Sequence, residues 1–384
     1  MICMPLITLN NKPLPEKMHA VVLEKPYQLK YTTIPLWPLE SYNDPDMMVV
    51  QVKACGVCGS DFRYYQGENP WSQHTMGVHK ENPPNIVLGH EFAGEVVAVL
   101  KDENRKWLGK RVVPVCSKVC GTCEMCRTNR AHLCENTIHI GHGQGWGWQP
   151  YYPGAYAEYV PSWSEGCYEI PPKASFEEAA MMDVLAVCTH AFNQASHQRA
   201  MPILIIGCGP IGNGIGQVAR NSGISEDDII IIENSKIAID TARKVGFQKF
   251  FDSSNSSLKR TIEELQKMGR NRKFYSIFDS IGTEFSFQAG LNLLDKGGTY
   301  VNLAVHQLQI KFNQMQLSGE RKLLGSSNFT LADYESTLQW LAEGKFDIKS
   351  WLTAISLQEI PTYFEDITKN KKGRKLFKLV IQTV

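Results

Sequence analysis

Two short stretches of the sequence combine residue types that bind soft metal ions. The first is Cys55-Gly-Val-Cys58-Gly-Ser60-Asp61, and the second is Gly89-His90-Glu91. Thiolate and imidazole ligands suit a borderline-soft ion such as zinc, and a site with about three protein ligands leaves a position open for substrate. From these residues alone, a pair of buried core cysteines with a surface histidine is an equally good interpretation.

Polar residues next to the candidate ligands add to the first interpretation. Ser60 lies two residues after Cys58, close enough to hydrogen-bond an oxygen held at the metal. Asp61 and Glu91 follow candidate ligands closely, and either carboxylate could accept a hydrogen bond from a ligand or exchange with one. The stretch therefore predicts a zinc site that performs chemistry.

A second cysteine cluster has the spacing of a closed metal site. Cysteines recur at positions 120, 123, 126 and 134, and four thiolates so close together can surround zinc with no open position. A ferredoxin-like iron–sulfur cluster is the alternative, but no proline follows the last cysteine and no second cluster exists. We therefore predict a structural zinc bound by Cys120, Cys123, Cys126 and Cys134. The other cysteines are interpreted as ordinary core or surface residues: Cys3, Cys55, Cys116, Cys167, Cys188 and Cys208.

A glycine-rich turn in the second half of the chain has the pattern of a dinucleotide-binding site. A short apolar strand, Ile203 to Ile206, runs directly into Gly-Cys-Gly-Pro-Ile-Gly, and apolar residues then recur at helical spacing. In such a turn one glycine makes the bend, one lets a pyrophosphate approach, and one lets the helix pack on the strand. The helix N-terminus offers free N–H groups to phosphate. The candidate cofactor-binding residues are Gly207, Gly209, Pro210, Ile211 and Gly212.

The residue after the next predicted strand indicates which dinucleotide is bound. Glu233 follows Ile229 to Ile232, and a carboxylate there can accept both ribose hydroxyls of NAD while repelling the 2′-phosphate of NADP. Lys236 nearby weakens this preference slightly. We therefore predict NAD, with NADP less favoured.

The elements that must position these groups fall into two kinds. The chain of 384 residues is too long for one compact core, so two domains are expected. Short β-strands dominate up to the four-cysteine cluster, which predicts a barrel-like domain. After residue 201 strands alternate with helices, which predicts a parallel sheet. The segment 66–85 is predicted to be a loop. The stretch 141–154 is rich in glycine and aromatic residues, which either pack within the protein, form an oligomer contact or stack on a sugar.

Composition excludes several classes of function. Lys plus Arg total 40 and Asp plus Glu total 39, so a net charge of +1 gives no electrostatic reason for nucleic acid or an anionic membrane as a partner. The neutral charge also argues against the four-cysteine cluster as a nucleic-acid-binding module. No apolar stretch approaches a membrane helix, and the N-terminus lacks a signal-peptide pattern. We expect a cytoplasmic protein.

Taken together, these motifs resemble the zinc-dependent medium-chain dehydrogenase/reductase family, in particular its sorbitol, threonine and glucose dehydrogenase branch. The resemblance covers residues from about 18 to 384 and rests on GVCGSD, GHEFAGEV, the four-cysteine lobe, GAYAEYV, GCGPIG and a later Gly-Gly pair. It implies an α/β fold with a β-rich GroES-like catalytic domain over residues 1–184. A Rossmann dinucleotide-binding domain with a doubly wound parallel sheet would span 185–324, and 325–384 would return to the first domain.

The resemblance also implies roles for individual residues. Cys58 and His90 match two ligands of a catalytic zinc, Glu91 matches a conditional ligand, and the third ligand position falls on Asp183, where the polyol branch has glutamate. Ser60 matches the hydroxyl that hands on the proton of the alcohol. The four-cysteine lobe matches a second zinc, so two zinc ions per chain are expected.

One position departs from the family pattern. The family often has a histidine five residues after the catalytic cysteine, where this chain has Arg63. Arginine stays protonated and cannot act as the base, so Arg63 is assigned here to a cofactor phosphate or a substrate anion. The proton relay would then run from Ser60 through the ribose to water.

The expected activity is hydride transfer between a polyol, sugar or related secondary alcohol and NAD. Two alternatives are a primary-alcohol or aldehyde reductase of the same family and a non-catalytic dinucleotide-binding protein on this scaffold. Metal content separates the last one, because two zinc ions per chain favour an enzyme. The partner expected is a small-molecule alcohol or sugar, and the resemblance alone suggests a homodimer or homotetramer.

Overall fold

A computed structural model describes residues 6–37, 44–76, 80–142, 151–195, 197, 201–269, 273–305, 309–369 and 376–383. The chain divides into two compact units, one formed by Met1–Asp183 with Leu352–Val384 and the other by Val184–Trp351. The sequence predicts a return to the first domain at residue 325, and this is wrong by 27 residues because the chain returns to the first unit at Leu352. Every helix among the described residues is too short or too polar to span a lipid bilayer.

Short strands dominate the first unit, as its sequence predicts. The strands before the chain enters the second unit are β1 (Ile7–Thr8), β2 (Lys17–Lys25), β3 (Gln28–Pro35), β4 (Met47–Gly56), β5 (Ile86–Val87), β6 (Glu91–Val99), β7 (Arg111–Pro114), β8 (Ser117–Lys118), β9 (Ile138–His139), β10 (Tyr159–Trp163) and β11 (Cys167–Glu169). The helices are α1 (Gly59–Tyr65), α2 (Pro70–Met76), α3 (Glu124–Arg127), α4 (Phe176–Ala180) and α5 (Met182–Gln194), the last of which spans the division between the units. Because α2 lies within 66–85, the prediction of a continuous loop there is wrong.

Strands and helices alternate in the second unit. Its elements are β12 (Ile203–Ile206), α6 (Pro210–Asn221), β13 (Ile229–Ile232), α7 (Lys236–Val245), β14 (Lys249–Phe251), α8 (Leu258–Met268), β15 (Phe274–Asp279), α9 (Glu284–Leu293), β16 (Leu294–Asn302), β17 (Lys322–Gly325) and α10 (Leu331–Ala342). The chain then returns to the first unit with β18 (Leu352–Ser356), α11 (Ile360–Lys369) and β19 (Lys378–Gln382).

The main sheet of the first unit places the candidate ligands close together. Its strands run in the order β11-β7-β6-β4-β19-β18, and β1 and β10 add to β6 and β4. Strands β4 and β6 are antiparallel, with Gly56 opposite Glu91, so the end of one meets the start of the other. Strand β19 also pairs with the end of β4, opposite Gly56. Three segments that are remote in sequence therefore meet beside Gly56.

Glycine at position 56 is required by that meeting. A Cβ atom there would lie 2.1 Å from a carboxylate oxygen of Glu91. The strands can approach as they do because Gly56 has no side chain.

The second unit is built on a parallel six-stranded sheet. Its order is β14-β13-β12-β15-β16-β17, and its neighbouring strands pair in parallel. The chain moves outward from β12 on one side, crosses over, and continues outward on the other, which makes the end of β12 the switch point of a doubly wound sheet. The glycine-rich turn begins at that point.

Contacts of the segment 325–351 explain why it stays with the second unit. The preceding strand β17 completes the parallel sheet beside β16. In α10 the hydroxyl of Thr337 lies 2.7 Å from that of Thr189, and Asp333 lies 2.7 Å from His190, both on α5. These buried polar pairs tie α10 to α5, and a sequence without an alignment does not reveal such pairs.

Candidate active site

The N-terminus of α1 orients three of the predicted site residues. Cys58 precedes the helix, and its N–H donates to Asp61 Oδ2 at 2.8 Å. The Tyr156 hydroxyl donates to the same oxygen at 2.8 Å, so this fully buried carboxylate is held from two sides. Asp61 therefore fixes the first turn of α1, from which Cys58 and Ser60 project.

The structure brings Cys58, His90 and Glu91 into one group. The thiol sulfur, an imidazole nitrogen and a carboxylate oxygen lie within 4.8 Å of one another. His90 Nδ1 is buried, 3.9 Å from Asp61 Oδ1, and neither atom has a hydrogen-bond partner in the part of the chain that the structure describes. A partly exposed thiol with a buried imidazole and a buried carboxylate at these separations fits the donor set of a three-ligand zinc site.

The electrostatic field at this group favours a cation. Burial opposes a charge on His90, but Cys58, Asp61 and Asp183 outweigh it and raise the pKa of the imidazole from 6.5 to about 10. A site that binds a proton so strongly has an excess of negative potential. A divalent cation would meet the same attraction.

Lys378 supplies a buried positive charge in direct contact with Glu91. Its ammonium group lies 2.6 Å from Glu91 Oε2 and donates to Val57 O at 3.0 Å. Burial opposes the charge, yet Glu91 and Cys58 raise the pKa of Lys378 above its ordinary value. Lys378 begins β19, so the return of the C-terminal segment delivers the counter-ion of Glu91.

The four-cysteine cluster converges as its spacing predicts. Sulfur–sulfur distances are 3.5 Å from Cys123 to Cys126, 3.9 Å from Cys123 to Cys134 and 4.0 Å from Cys120 to Cys126. Burial raises the pKa of the Cys120 thiol, but hydrogen bonds from Thr122 and the Cys123 N–H outweigh burial and bring it to about 5. Four sulfurs at these separations, with backbone donors stabilising a thiolate, suit a tetrahedral zinc.

Each glycine of the turn after β12 has a distinct environment. Gly207 has a φ of +85°, which a residue with a side chain rarely adopts. A Cβ at Gly209 would face open space, whereas a Cβ at Gly212 would lie 1.8 Å from the carbonyl oxygen of Gly207. These environments match a bend, a surface open to an approaching phosphate and a close contact between helix and strand. Pro210 occupies the first turn of α6 and Ile211 follows it.

Glu233 lies directly beside this turn. Its carboxylate accepts hydrogen bonds from the N–H groups of Cys208 and Ser235, both at 2.7 Å, and of Asn234 at 2.8 Å. These bonds hold the carboxylate at the end of β13, next to the glycine turn. The residues present therefore fit a dinucleotide whose ribose approaches Glu233.

Two family models match the chain, one on each side of the division. The alcohol dehydrogenase GroES-like domain matches residues 44–172, and the zinc-binding dehydrogenase domain matches residues 210–343. The chain belongs to the zinc-dependent medium-chain dehydrogenase/reductase family. It is thus an α/β dehydrogenase with a GroES-like unit and a Rossmann unit, as the sequence motifs predict.

Similar proteins include a probable D-xylulose reductase A from Aspergillus clavatus, 29% identical over 357 residues, which cover 92% of this chain and 94% of that one. A probable diacetyl reductase, (R)-acetoin forming, from Saccharomyces cerevisiae is 29% identical over 326 residues, with 79% and 75% covered. L-Idonate 5-dehydrogenase from Escherichia coli has a similar fold, with a TM-score of 0.79 at 23% identity over 95% of this chain and 98% of that one.

Asp183 lies apart from the group formed by Cys58, His90 and Glu91. Its Oδ1 accepts a hydrogen bond from the thiol of Cys116 at 3.0 Å. It is close enough to raise the pKa of His90, but it is not among the donors within 4.8 Å of one another. Its role as a ligand of the catalytic zinc stays a prediction.

Arg63 contacts two residues of the segment that directly follows it in the chain. Its guanidinium lies 2.7 Å from Glu68 Oε2 and also donates to Gln73 on α2. Both partners come from the stretch that the sequence led us to interpret as a loop. The structure thus gives Arg63 a positioning contact, while its binding to a cofactor phosphate stays a prediction.

Two histidines near the site were missed by the sequence analysis. His142 is buried, its Nε2 lies 3.2 Å from Ser60 Oγ, and its ring centroid is 4.1 Å from that of His90. His139 stacks on His142 with centroids 4.5 Å apart. The available signal was two histidines three residues apart at the start of the glycine-rich stretch. Among the aromatic residues of that stretch, Trp146 and Trp148 lie outside the described residues.

Proposed function

We propose that the protein is a zinc-dependent oxidoreductase that transfers hydride between NAD and a polyol, sugar or related secondary alcohol. The observation that supports this most is the group of Cys58, His90 and Glu91, linked through the ring of His142 to the hydroxyl of Ser60, in a chain of a dehydrogenase family. Two of the similar proteins are named as reductases of D-xylulose and of diacetyl, and both of those compounds are ketones.

The residues of this site would hold the ion and the substrate oxygen in fixed positions. Cys58, His90 and Glu91 would bind zinc, and the tie from Asp61 to the Cys58 N–H would keep the thiolate in place. A bound zinc ion supplies Lewis acidity towards a substrate oxygen, and NAD accepts the hydride. Lys378 balances the charge of Glu91 and so keeps that carboxylate available in a buried environment.

Ser60 and His142 provide a path for the proton. Burial, with His90 and His139 nearby, lowers the pKa of His142 well below 6.5, so its ring is neutral near pH 7 and can accept a hydrogen bond. With Nε2 as the acceptor, the Ser60 hydroxyl can take the alcohol proton as it donates its own to His142. This path replaces the relay through ribose and water that the sequence predicts, because the histidine comes from a different segment.

Glu233 and the glycine turn would set the cofactor preference. A carboxylate held by three backbone N–H groups is fixed in position and negative, so it would accept ribose hydroxyls and repel a 2′-phosphate. We therefore propose NAD as the cofactor.

Replacement of Cys58 by serine tests the zinc-dependent activity. We expect C58S to lose one zinc per chain and to lose polyol-dependent reduction of NAD by at least about 10²-fold, since a hydroxyl is a poor zinc ligand. Cys167 is a thiol of β11 outside this group, so C167S is the control and keeps both properties. A folded C58S with unchanged zinc content and turnover would contradict the proposal.

A substrate panel separates the proposed activity from the alternatives. Polyols, 2-ketoses, simple primary alcohols and aldehydes are assayed with NAD(H) and NADP(H) on the zinc-loaded protein. The proposal predicts the highest kcat/KM with a polyol or ketose and NAD(H). Higher values with primary alcohols or aldehydes would favour the simple reductase, and no turnover by the zinc-loaded protein would favour the non-catalytic protein.

A further inference from the structure

Two aromatic side chains from neighbouring helices pack against the imidazole of His142. The ring centroids of Tyr64 on α1 and Trp71 on α2 lie 5.3 and 5.8 Å from that of His142, and all three side chains are buried. Trp71 also lies 4.7 Å from the ring of His139, on which His142 stacks. In a close-packed interior such neighbours decide how a ring is turned. The hydrogen bond between His142 Nε2 and the Ser60 hydroxyl therefore depends on where α1 and α2 place their rings.

Helix α2 is too short to hold its position by itself. It has seven residues, and isolated helices shorter than about 12–15 residues are marginal in water. The position of α2, and with it that of Trp71, is therefore set by contacts with the rest of the first unit.

Arg63 makes one set of those contacts from the last turn of α1. Its Nε donates to Glu68 Oε2 at 2.8 Å, and a terminal nitrogen of the guanidinium lies 2.7 Å from the same oxygen. That nitrogen also donates to Gln73 on α2, whereas Glu68 lies two residues before α2 begins. The Arg63 side chain is 24% exposed, so water competes only in part for these bonds. Because a planar guanidinium donates in a fixed geometry, the bonds fix α2 relative to α1.

Asn69 supplies a second tie at the start of α2. Its Oδ1 accepts hydrogen bonds from the Tyr64 hydroxyl at 3.3 Å and from the Ser72 N–H at 3.0 Å. The bond from Ser72 is that of a helix N-cap, and the bond from Tyr64 joins this cap to α1. Because Tyr64 also packs on His142, a displacement of α2 would disturb the imidazole from two sides.

We propose that Arg63 and Trp71 are positioning residues for the proton step. Arg63 holds α2 on α1, and Trp71 on α2 keeps the imidazole of His142 turned towards Ser60. This inference rests on the proposed function, since it takes His142 as the acceptor of the Ser60 proton. It gives a role in that step to an arginine that cannot itself act as a base. Misplacing a reacting group by about 1 Å can cost about 10²-fold in rate, so a small shift of α2 is enough to be measured.

Steady-state kinetics of R63M test the role of Arg63, with the polyol or ketose that has the highest kcat/KM in the substrate panel. Methionine keeps the apolar stem and removes the donors. We expect kcat to fall about 10-fold, a fraction of what acid–base catalysis contributes, while zinc content and the Kd for NAD stay unchanged. The solvent deuterium isotope effect on kcat should rise, because proton transfer becomes slower relative to the other steps. R63K, which keeps a charged donor on a flexible stem, should recover part of kcat.

W71F tests the contact with the imidazole. The smaller ring leaves a gap beside His142, so kcat should fall and the solvent isotope effect should rise as in the arginine variant. Two variants serve as matched controls, and both should keep the parent values. R105M removes an exposed ion pair with Asp102, and W163F replaces a buried tryptophan of β10.

Amide hydrogen exchange of residues 70–76 gives a readout apart from activity. Exchange in this helix should be faster in R63M than in the parent or R105M, because α2 opens more often when it loses its tie to α1. Equal exchange in R63M and the parent would show that Arg63 does not hold α2, and the inference would be wrong.

H142F separates this inference from the proposed function. If H142F keeps the parent kcat, no proton passes to His142, and the relay and this inference both fail. If H142F loses activity while R63M and W71F keep the parent kcat and solvent isotope effect, the relay stands and the positioning role is refuted. If R63M raises the Kd for NAD with kcat unchanged, Arg63 binds a cofactor anion instead. If the parent turns over no substrate of the panel, the proposed function fails and the contacts of Arg63 are only structural.

Discussion

The buried pair of Lys378 and Glu91 allows a stability prediction that can be worked from the structure. The two side chains are 5% and 1% exposed, and their charged atoms are 2.6 Å apart. Replacing Lys378 by methionine keeps most of the apolar stem and leaves Glu91 as an uncompensated buried charge. Removing one partner of a buried ion pair costs about 3–5 kcal/mol, so K378M should lower the free energy of unfolding by about that amount in the metal-free protein.

Urea unfolding of metal-free and zinc-loaded protein is the assay. Zinc beside Glu91 would replace part of the lost positive charge, so the loss in K378M should be smaller in the zinc-loaded protein. The exposed pair of Lys110 and Glu169, 3.1 Å apart with 45% and 58% of the side chains exposed, is the matched control. K110M should change the free energy of unfolding by less than about 1 kcal/mol.

A double variant isolates the interaction itself. E91Q/K378M removes both charges, so its destabilisation should be clearly smaller than the sum of the two single variants. The reasoning is refuted if K378M unfolds within about 1 kcal/mol of the parent in the absence of zinc. It is also refuted if the effects of E91Q and K378M simply add.

Four further predictions follow from the two units. G212A should weaken NAD binding and destabilise the second unit by about 1–3 kcal/mol, because the added Cβ would collide with the carbonyl oxygen of Gly207. Calorimetric titration measures the binding, and urea unfolding measures the stability. C123S should lose one zinc per chain and have a lower midpoint temperature of thermal unfolding. At temperatures below that midpoint its kcat should equal that of the parent. H142F should lower kcat at least about 10²-fold with unchanged zinc content. Burial opposes the charge of Asp333, but hydrogen bonds from His190, Thr330 and Asn193 hold the pKa of its carboxyl below 3.8. The ionised carboxylate therefore stabilises the folded protein above pH 3.8, and this stabilisation is lost as pH falls through the lowered pKa. In urea unfolding measured as a function of pH, D333N should lose less stability in acid than the parent.

Local motifs made part of the site predictable. The four cysteines are so close in sequence that few arrangements other than a common metal are open to them, and their sulfurs do converge. The glycine turn between β12 and α6 was equally predictable. The positive φ at Gly207 and the close contact between Gly212 and the Gly207 carbonyl both arise within one stretch of six residues. Cys58, His90 and Glu91 also meet, as the family resemblance implied.

The sequence did not reveal two contacts that predicted site residues make. Arg63, for which a cofactor anion is predicted, contacts Glu68 five residues away and Gln73 on α2 ten residues away. Asp183, for which the catalytic zinc is predicted, accepts a hydrogen bond from Cys116, 67 residues away. The first contact depends on a helix that the sequence did not predict, and the second depends on the fold.

The sequence by itself determined the family, the two kinds of unit, the closed cysteine lobe and the glycine turn, because each depends on residue types at short and regular spacing. Tertiary structure alone decided that Lys378 faces Glu91 and that His142 faces Ser60. The pairing of β4 with β6 and β19 brings Lys378 to Glu91, and the segment after β9 brings His142 to Ser60. The register of the strands and the path of the loops determine these contacts. Neither can be predicted from the types of the residues that make the contact.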